Sequence, residues 1–125
     1  MRQAVSAPNA AKPIGPYSPA LRAGKLLFLS GQVGFDPSSG ALVDGDISAQ
    51  TDQVMRNIGA LLQAAGTDFA HVVRTTVFLA DMGEFAKMNE VYARHIGSDP
   101  PARSTVEVSG LPSGALVEIE AVAAL

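Results

Sequence analysis

Apolar and polar positions alternate with period two along two runs near the end of the chain. In residues 100–108, Val106 and Val108 share one face, and Arg103, Thr105 and Glu107 take the other. In residues 116–122, Val117, Ile119 and Ala121 share one face, and Glu118 and Glu120 take the other. Both runs read as strands. The segment between them, Ser109-Gly110-Leu111-Pro112-Ser113-Gly114, is rich in turn formers, so the two strands are predicted to pair as sequence neighbours. That pairing would project Arg103 and Glu118 from one face of one sheet, an arrangement suited to holding a small carboxylate and activating a water beside it.

Upstream, residues 4–19 read as a loop stiffened by Pro8, Pro13, Pro16 and Pro19, which would hold Tyr17 in a fixed place. A short strand is predicted at 21–23, a turn at Gly24, an apolar strand at 25–30 and turn material at 34–46. Residues 47–65 carry Ile47, Val54, Ile58, Leu61, Leu62 and Ala65 at helical spacing, with Asp46 or Ser48 as N-cap and Gly66 as stop. Residues 72–79 are β-branched and aromatic and read as a strand. Asp81 is placed to cap a second helix over 83–96, with Phe85, Met88, Tyr92 and Ile96 as its apolar stripe. The order is strands, helix, strand, helix, two strands: an α+β fold with two helices on one mixed sheet. No repeat or linker divides the chain, so residues 1–125 form a single domain. Two helices cover one face of such a sheet. The other face, part charged and part Leu and Phe, is a poor solvent surface, which predicts an obligate oligomer.

Composition narrows the partners. The chain has 125 residues, 12 acidic against 9 basic groups and a formal charge of -3, with no Lys/Arg cluster. Nucleic-acid binding is therefore disfavoured, because phosphate contacts dominate such affinity. There is no cysteine, so disulfide and thiolate chemistry are excluded. The first residues lack the apolar core of a signal peptide, and no apolar run approaches a membrane span. A cytoplasmic, membrane-free protein is the expectation.

Familiar catalytic motifs are missing: no phosphate-binding glycine loop, no dinucleotide fingerprint, no metalloprotease helix. His71 and His95 are not at ligand spacing, so no metal is expected. Ser30-Gly31 is not a nucleophile elbow, and no histidine is placed to activate Ser30. Arg103 reads equally as the partner of Glu107, Glu118 or Glu120 and as a bidentate carboxylate clamp at a rigid strand entrance after Pro100-Pro101. Glu118 alone would be a solvated strand residue; beside Arg103 it becomes a candidate general base. Glu120 reads as structural, deeper along its strand. Tyr17 reads first as packing and Asn89 as a surface or capping amide.

The ordered set Ile14-Gly15-Pro16-Tyr17-Ser18, Leu29-Ser30-Gly31-Gln32, Thr75-Thr76-Val77-Phe78-Leu79, Asn89, residues 101–108 and Glu118-Ile119-Glu120-Ala121 resembles the RidA family, also called YjgF or reactive-intermediate deaminases. The resemblance spans about residues 14–122. It implies a chorismate-mutase-like α+β fold and a homotrimer with ligand clefts between subunits. It also implies hydrolysis of 2-imino acids (2-iminobutanoate and 2-iminopropanoate, formed when pyridoxal-phosphate dehydratases act on threonine or serine) to 2-oxo acids and ammonia, without a cofactor. The family's carboxylate-binding arginine corresponds to Arg103, its water-handling glutamate to Glu118 and its loop tyrosine to Tyr17. Ser30, Gly31, Asn89 and the position of Thr105 correspond to substrate-binding positions. Well-known members carry cysteine where this chain has Thr105, so a cysteine nucleophile is excluded here. Two other readings stand beside the deaminase: a non-catalytic trimer that binds 2-oxo acids or regulates, and a ribonuclease or translation inhibitor, against which the acidic charge argues.

Overall fold

The structure, a computed structural model, describes residues 1–125. Six strands form one sheet: β1 (Arg2–Val5), β2 (Ala20–Ala23), β3 (Leu26–Gln32), β4 (Val72–Leu79), β5 (Ala102–Glu107) and β6 (Val117–Ala124). Their spatial order is β1-β2-β3-β6-β4-β5. Two helices, α1 (Ile47–Ala64) and α2 (Phe85–Ile96), cover one face. Every strand pair is antiparallel except β4 and β5, which run parallel.

The expected α+β architecture is present, and the sheet's centre follows from sequence. β6 has the strictest alternation, and its helix-side residues Val117, Ile119, Ala121 and Ala123 are all buried. Only a strand with neighbours on both sides sheds that much surface, and β6 is flanked by β3 and β4. Helix α1 begins where Asp46 accepts hydrogen bonds from the amides of Ser48 (3.0 Å) and Ala49 (3.2 Å). It buries Ile47, Val54, Ile58, Leu61 and Leu62 as its spacing requires, together with Met55 and Asn57.

Helix α2 starts two residues later than expected. Asp81 caps a 3-10 turn over Met82–Glu84 by accepting from the Gly83 amide at 2.8 Å, and the α-helix follows. Its buried stripe is Met88, Val91, Tyr92 and Ile96. Phe85, expected in that stripe, is 39% exposed and lies beside Arg103.

Three further expectations are corrected. Residues 4 and 5, expected to open the loop, end a strand: the short, largely exposed β1 pairs with β2 at the sheet's edge, and its mixed sequence has no alternation to betray it. The two final strands do not pair with each other. Helix α2 carries the chain back to the starting end of β4, so β5 enters parallel to β4. β6 lies on β4's other side, and β4 separates the two final strands.

The third correction concerns which residues share a face. Arg103, Thr105 and Glu107 lie in register with Thr75, Val77 and Leu79, which are buried under the helices. Glu118 and Glu120 lie in register with Phe78 and Thr76, which point the other way. Arg103 and Glu118 therefore project from opposite faces of the sheet. On the uncovered face Arg74 donates from Nη2 to Ser104 Oγ (2.9 Å), fixing β5's parity. That face carries Arg74, Glu118 and Glu120 among Leu26, Phe28, Phe78 and Val106, the mixture of charged and apolar residues the sequence predicts.

Candidate active site in two halves

The first half is built around Glu118 in the middle of the sheet. Strand β3 pairs with β6 up to Leu29 and again at Gln32, with a register irregularity between. Ser30 and Gly31 occupy that irregularity. A Cβ on Gly31 would overlap the Glu118 carboxylate, so the acid lies directly against the Gly31 Cα. Ser30 ties this point to the proline-rich loop. Its amide donates to the Pro19 carbonyl (3.0 Å) and its hydroxyl to the Ser18 carbonyl (2.7 Å). Within that loop Tyr17 is held by its own amide donating to the Gly15 carbonyl at 2.9 Å, and its phenol oxygen accepts from the Ile14 amide at 3.3 Å. Lys12, Tyr17, Gly31, Pro112 and Glu118 line a small cleft of about 30 Å³. A cluster of Ala11, Val33, Phe35 and Ala115 underlies this corner.

Glu118 is half-buried, and its carboxyl is pushed above the ordinary glutamate value of 4.5. Desolvation is the larger cause and the neighbouring Glu120 charge the smaller. Glu120, expected to be structural, is exposed and lines a larger concavity of about 720 Å³ on the open face with Tyr17, Ser30, Arg74 and Thr76.

The second half lies at the β5 edge on the helix side. The Arg103 guanidinium carbon is 4.8 Å from the Tyr92 ring centre and 5.6 Å from that of Phe85. None of the acids weighed as its partner takes it. The chain's ion pairs involve other groups, and Glu107 instead accepts from the Met82 amide at 2.7 Å. Arginine placed against ring faces keeps its in-plane N–H edge free for a planar oxyanion. Asn89 lies between Phe85 and Tyr92 on the same helical face, and its side-chain oxygen is buried without a hydrogen-bond partner. Thr105 follows Arg103 on the same strand face.

The sequence-derived residues thus fall into two groups. Tyr17, Ser30, Gly31 and Glu118 gather on one side, and Asn89, Arg103 and Thr105 on the other. No single chain brings the guanidinium to the carboxylate. Sequence reasoning missed Phe85 and Tyr92 as parts of the site and assigned them to the core stripe. Their spacing with Asn89, four and then three residues apart, is the signal that could have placed all three together. His71 pairs with Asp68 (2.7 Å), and His95 bridges to Asp52 on α1 (2.9 Å); neither borders either half.

Comparison with known proteins agrees with this architecture. The family described as Endoribonuclease L-PSP matches residues 7–125. A RutC family protein of Pyrococcus horikoshii is 54% identical over 123 residues, covering 98% of each chain. A human protein named 2-iminobutanoate/2-iminopropanoate deaminase is 46% identical, covering 98% of this chain and 90% of its own. A Yersinia pestis structure described as a Rid family protein of unknown function superposes with a TM-score of 0.96 at 44% identity, over all of both chains. The chain belongs to the RidA (YjgF) family. Several of its relatives carry the deaminase name, and no helix of the structure is long and apolar enough to cross a membrane.

Proposed function

We propose that the protein hydrolyses small 2-imino acids, of the 2-iminobutanoate and 2-iminopropanoate class, to 2-oxo acids and ammonia, in clefts between copies of a homotrimer. The observation that carries this reading is the Arg103 guanidinium, set against two aromatic rings with no acid of its own chain to neutralise it. An unneutralised guanidinium at a strand edge calls for an external carboxylate. The half-buried Glu118 lies on the opposite face, so the two meet only if β5 of one copy packs over the open face of another. The apolar and charged residues of that face supply the surface for such packing.

Arg103 binds the substrate carboxylate, bidentate, while Asn89 and the backbone around Thr105 border the carbon skeleton. A water held by Glu118 of the neighbouring copy adds its oxygen to the electrophilic iminium carbon, and its proton passes to the carboxylate. Glu118 returns that proton to nitrogen. The C–N bond breaks as C=O forms, and the hydroxyl proton leaves with ammonia as ammonium. Tyr17 lies at the rim on the Glu118 side, where its phenol can contact the nitrogen; Ser30 and Gly31 shape the floor.

A coupled assay tests this. Threonine dehydratase generates the imine, semicarbazide traps it, and the protein is scored by how far it lowers trapping. The expected result is that wild type suppresses trapping and Arg103→Ala loses most of that effect while the oligomer persists. Wild-type turnover in Arg103→Ala would overturn the carboxylate clamp. Ligand binding with no effect on trapping would point instead to a non-catalytic 2-oxo acid binding trimer.

A further inference from the structure

We propose that Tyr92, anchored by Thr75, is a positioning residue that sets the plane of the Arg103 guanidinium; this rests on the reading of Arg103 as the carboxylate clamp. The two rings beside Arg103 are not equivalent. Phe85 is 39% exposed and lies farther away, at 5.6 Å. Tyr92 is 6% exposed, lies at 4.8 Å, and its phenol oxygen is 2.7 Å from Thr75 Oγ1 in a buried hydrogen bond. Thr75 is 3% exposed and stands directly in register with Arg103 across the β4–β5 ladder. The three residues therefore close a loop: strand pairing fixes Thr75 relative to the Arg103 backbone, Thr75 fixes the Tyr92 ring, and the ring supports the guanidinium.

That loop answers a physical difficulty. Arginine is long and flexible, and here no ion pair restrains it. Bidentate recognition of a carboxylate needs the guanidinium plane set in advance. An aromatic face restrains that plane without occupying the N–H edge, which an acidic partner would occupy. The alternative role for Tyr92 is core packing alone, and it makes a different prediction: its loss would lower stability without touching ligand affinity through Arg103.

The test measures 2-oxobutanoate affinity by calorimetry, and KM and kcat in the trapping assay, for variants shown by size and thermal melt to be assembled. Tyr92→Leu removes the ring face and should raise Kd and KM about tenfold with kcat nearly unchanged. Thr75→Val and Tyr92→Phe each break the buried hydrogen bond, and each should raise Kd about threefold, with the double variant no worse than either alone. In an Arg103→Lys background, where no planar guanidinium remains, the effect of Tyr92→Leu should shrink below about twofold. If Tyr92→Leu does not assemble, the Thr75→Val and Tyr92→Phe pair carries the same test. Unchanged affinity in these variants, or an undiminished effect of Tyr92→Leu in the Arg103→Lys background, overturns the positioning role while leaving the clamp intact. Unchanged affinity in Arg103→Lys and Arg103→Ala themselves overturns the clamp, and the positioning role falls with it.

Discussion

The Glu118 carboxylate occupies the space that a side chain on Gly31 would need. The acid that handles water in the proposed reaction is thus placed by a missing Cβ on the neighbouring strand, at the point where the β3–β6 register slips. Gly31→Ala should push that carboxylate off its place without removing it. Misplacement of a reacting group by about 1 Å can cost on the order of 10²-fold in rate. We expect Gly31→Ala to lose roughly that factor in kcat, with 2-oxobutanoate affinity changed far less. Equal losses in affinity and turnover would show that Gly31 serves ligand binding and not placement of the acid.

Burial and the Glu120 charge raise the Glu118 carboxyl above 4.5 within the chain, whereas the Arg103 of a neighbouring copy would pull it down. Arg103→Ala isolates the chain's own effect. A carboxyl raised in the folded state holds more protons folded than unfolded, so stability falls as pH rises from the unfolded value through the folded one. In the Arg103→Ala background, Glu118→Gln should change the melting temperature little below about pH 4 and raise it at neutral pH, where the parent carries the unfavourable charge. Glu120→Gln removes the smaller of the two causes and should give part of the same gain. A melting temperature that Glu118→Gln lowers at neutral pH would contradict the assigned shift.

Much of this fold was legible; β1 was missed for want of alternation, and the misplaced face of β5 has a physical source of its own. Strand β4 runs from Val72 to Leu79 as its β-branched sequence predicts, and α1 and β6 follow from periodicity and caps. Alternation sorts residues into two faces, but it does not say which face meets the helices. In the central β6 burial decides this unambiguously. Edge strand β5 fully buries no residue: Arg103 and Thr105 are half-buried on one face and Ser104 and Val106 exposed on the other, so the one large apolar side chain, Val106, does not mark the covered face. The crossover through α2 chooses, and it sets Arg103 under the helix and away from Glu118. Tyr17, Ser30, Gly31, Asn89 and Thr105 come from the resemblance, and alternation singles out Arg103 and Glu118 as well; the shared sheet face it predicts for those two is not the one this topology builds.

Asn57 links α1 to the corner that carries Gly31. It is fully buried, its amide donates to the carbonyls of Phe35 (3.0 Å) and Val33 (3.4 Å), and its oxygen accepts from Gln53 (3.0 Å). Asn57→Ala would strand the Phe35 carbonyl just beyond β3, while the Val33 carbonyl keeps the Phe35 amide at 2.8 Å. The cost of such an unsatisfied buried group is about 1–3 kcal/mol, to be read as a lowered denaturation midpoint. Hydrogen exchange should increase first at residues 33–35, because their anchor is lost while the sheet ladder is kept. A uniform increase across the sheet would mean that Asn57 supports the core as a whole.

Opposite-facing half-sites make a prediction that a site within one chain does not. Arg103→Ala and Glu118→Ala should each be inactive as pure assemblies. Unfolded together and refolded as mixed assemblies of the proposed trimer, they should regain activity, because a cleft that draws its arginine from the Glu118→Ala copy and its acid from the Arg103→Ala copy is intact. With random assembly around a threefold axis, each cleft has one arginine donor and one acid donor, so about a quarter of the clefts should be intact. The trapping assay should then recover about a quarter of wild-type turnover, rising and falling with the mixing ratio as the product of the two fractions. A site contained in one chain would stay inactive at every ratio, because each chain in the mixture lacks one of the two groups.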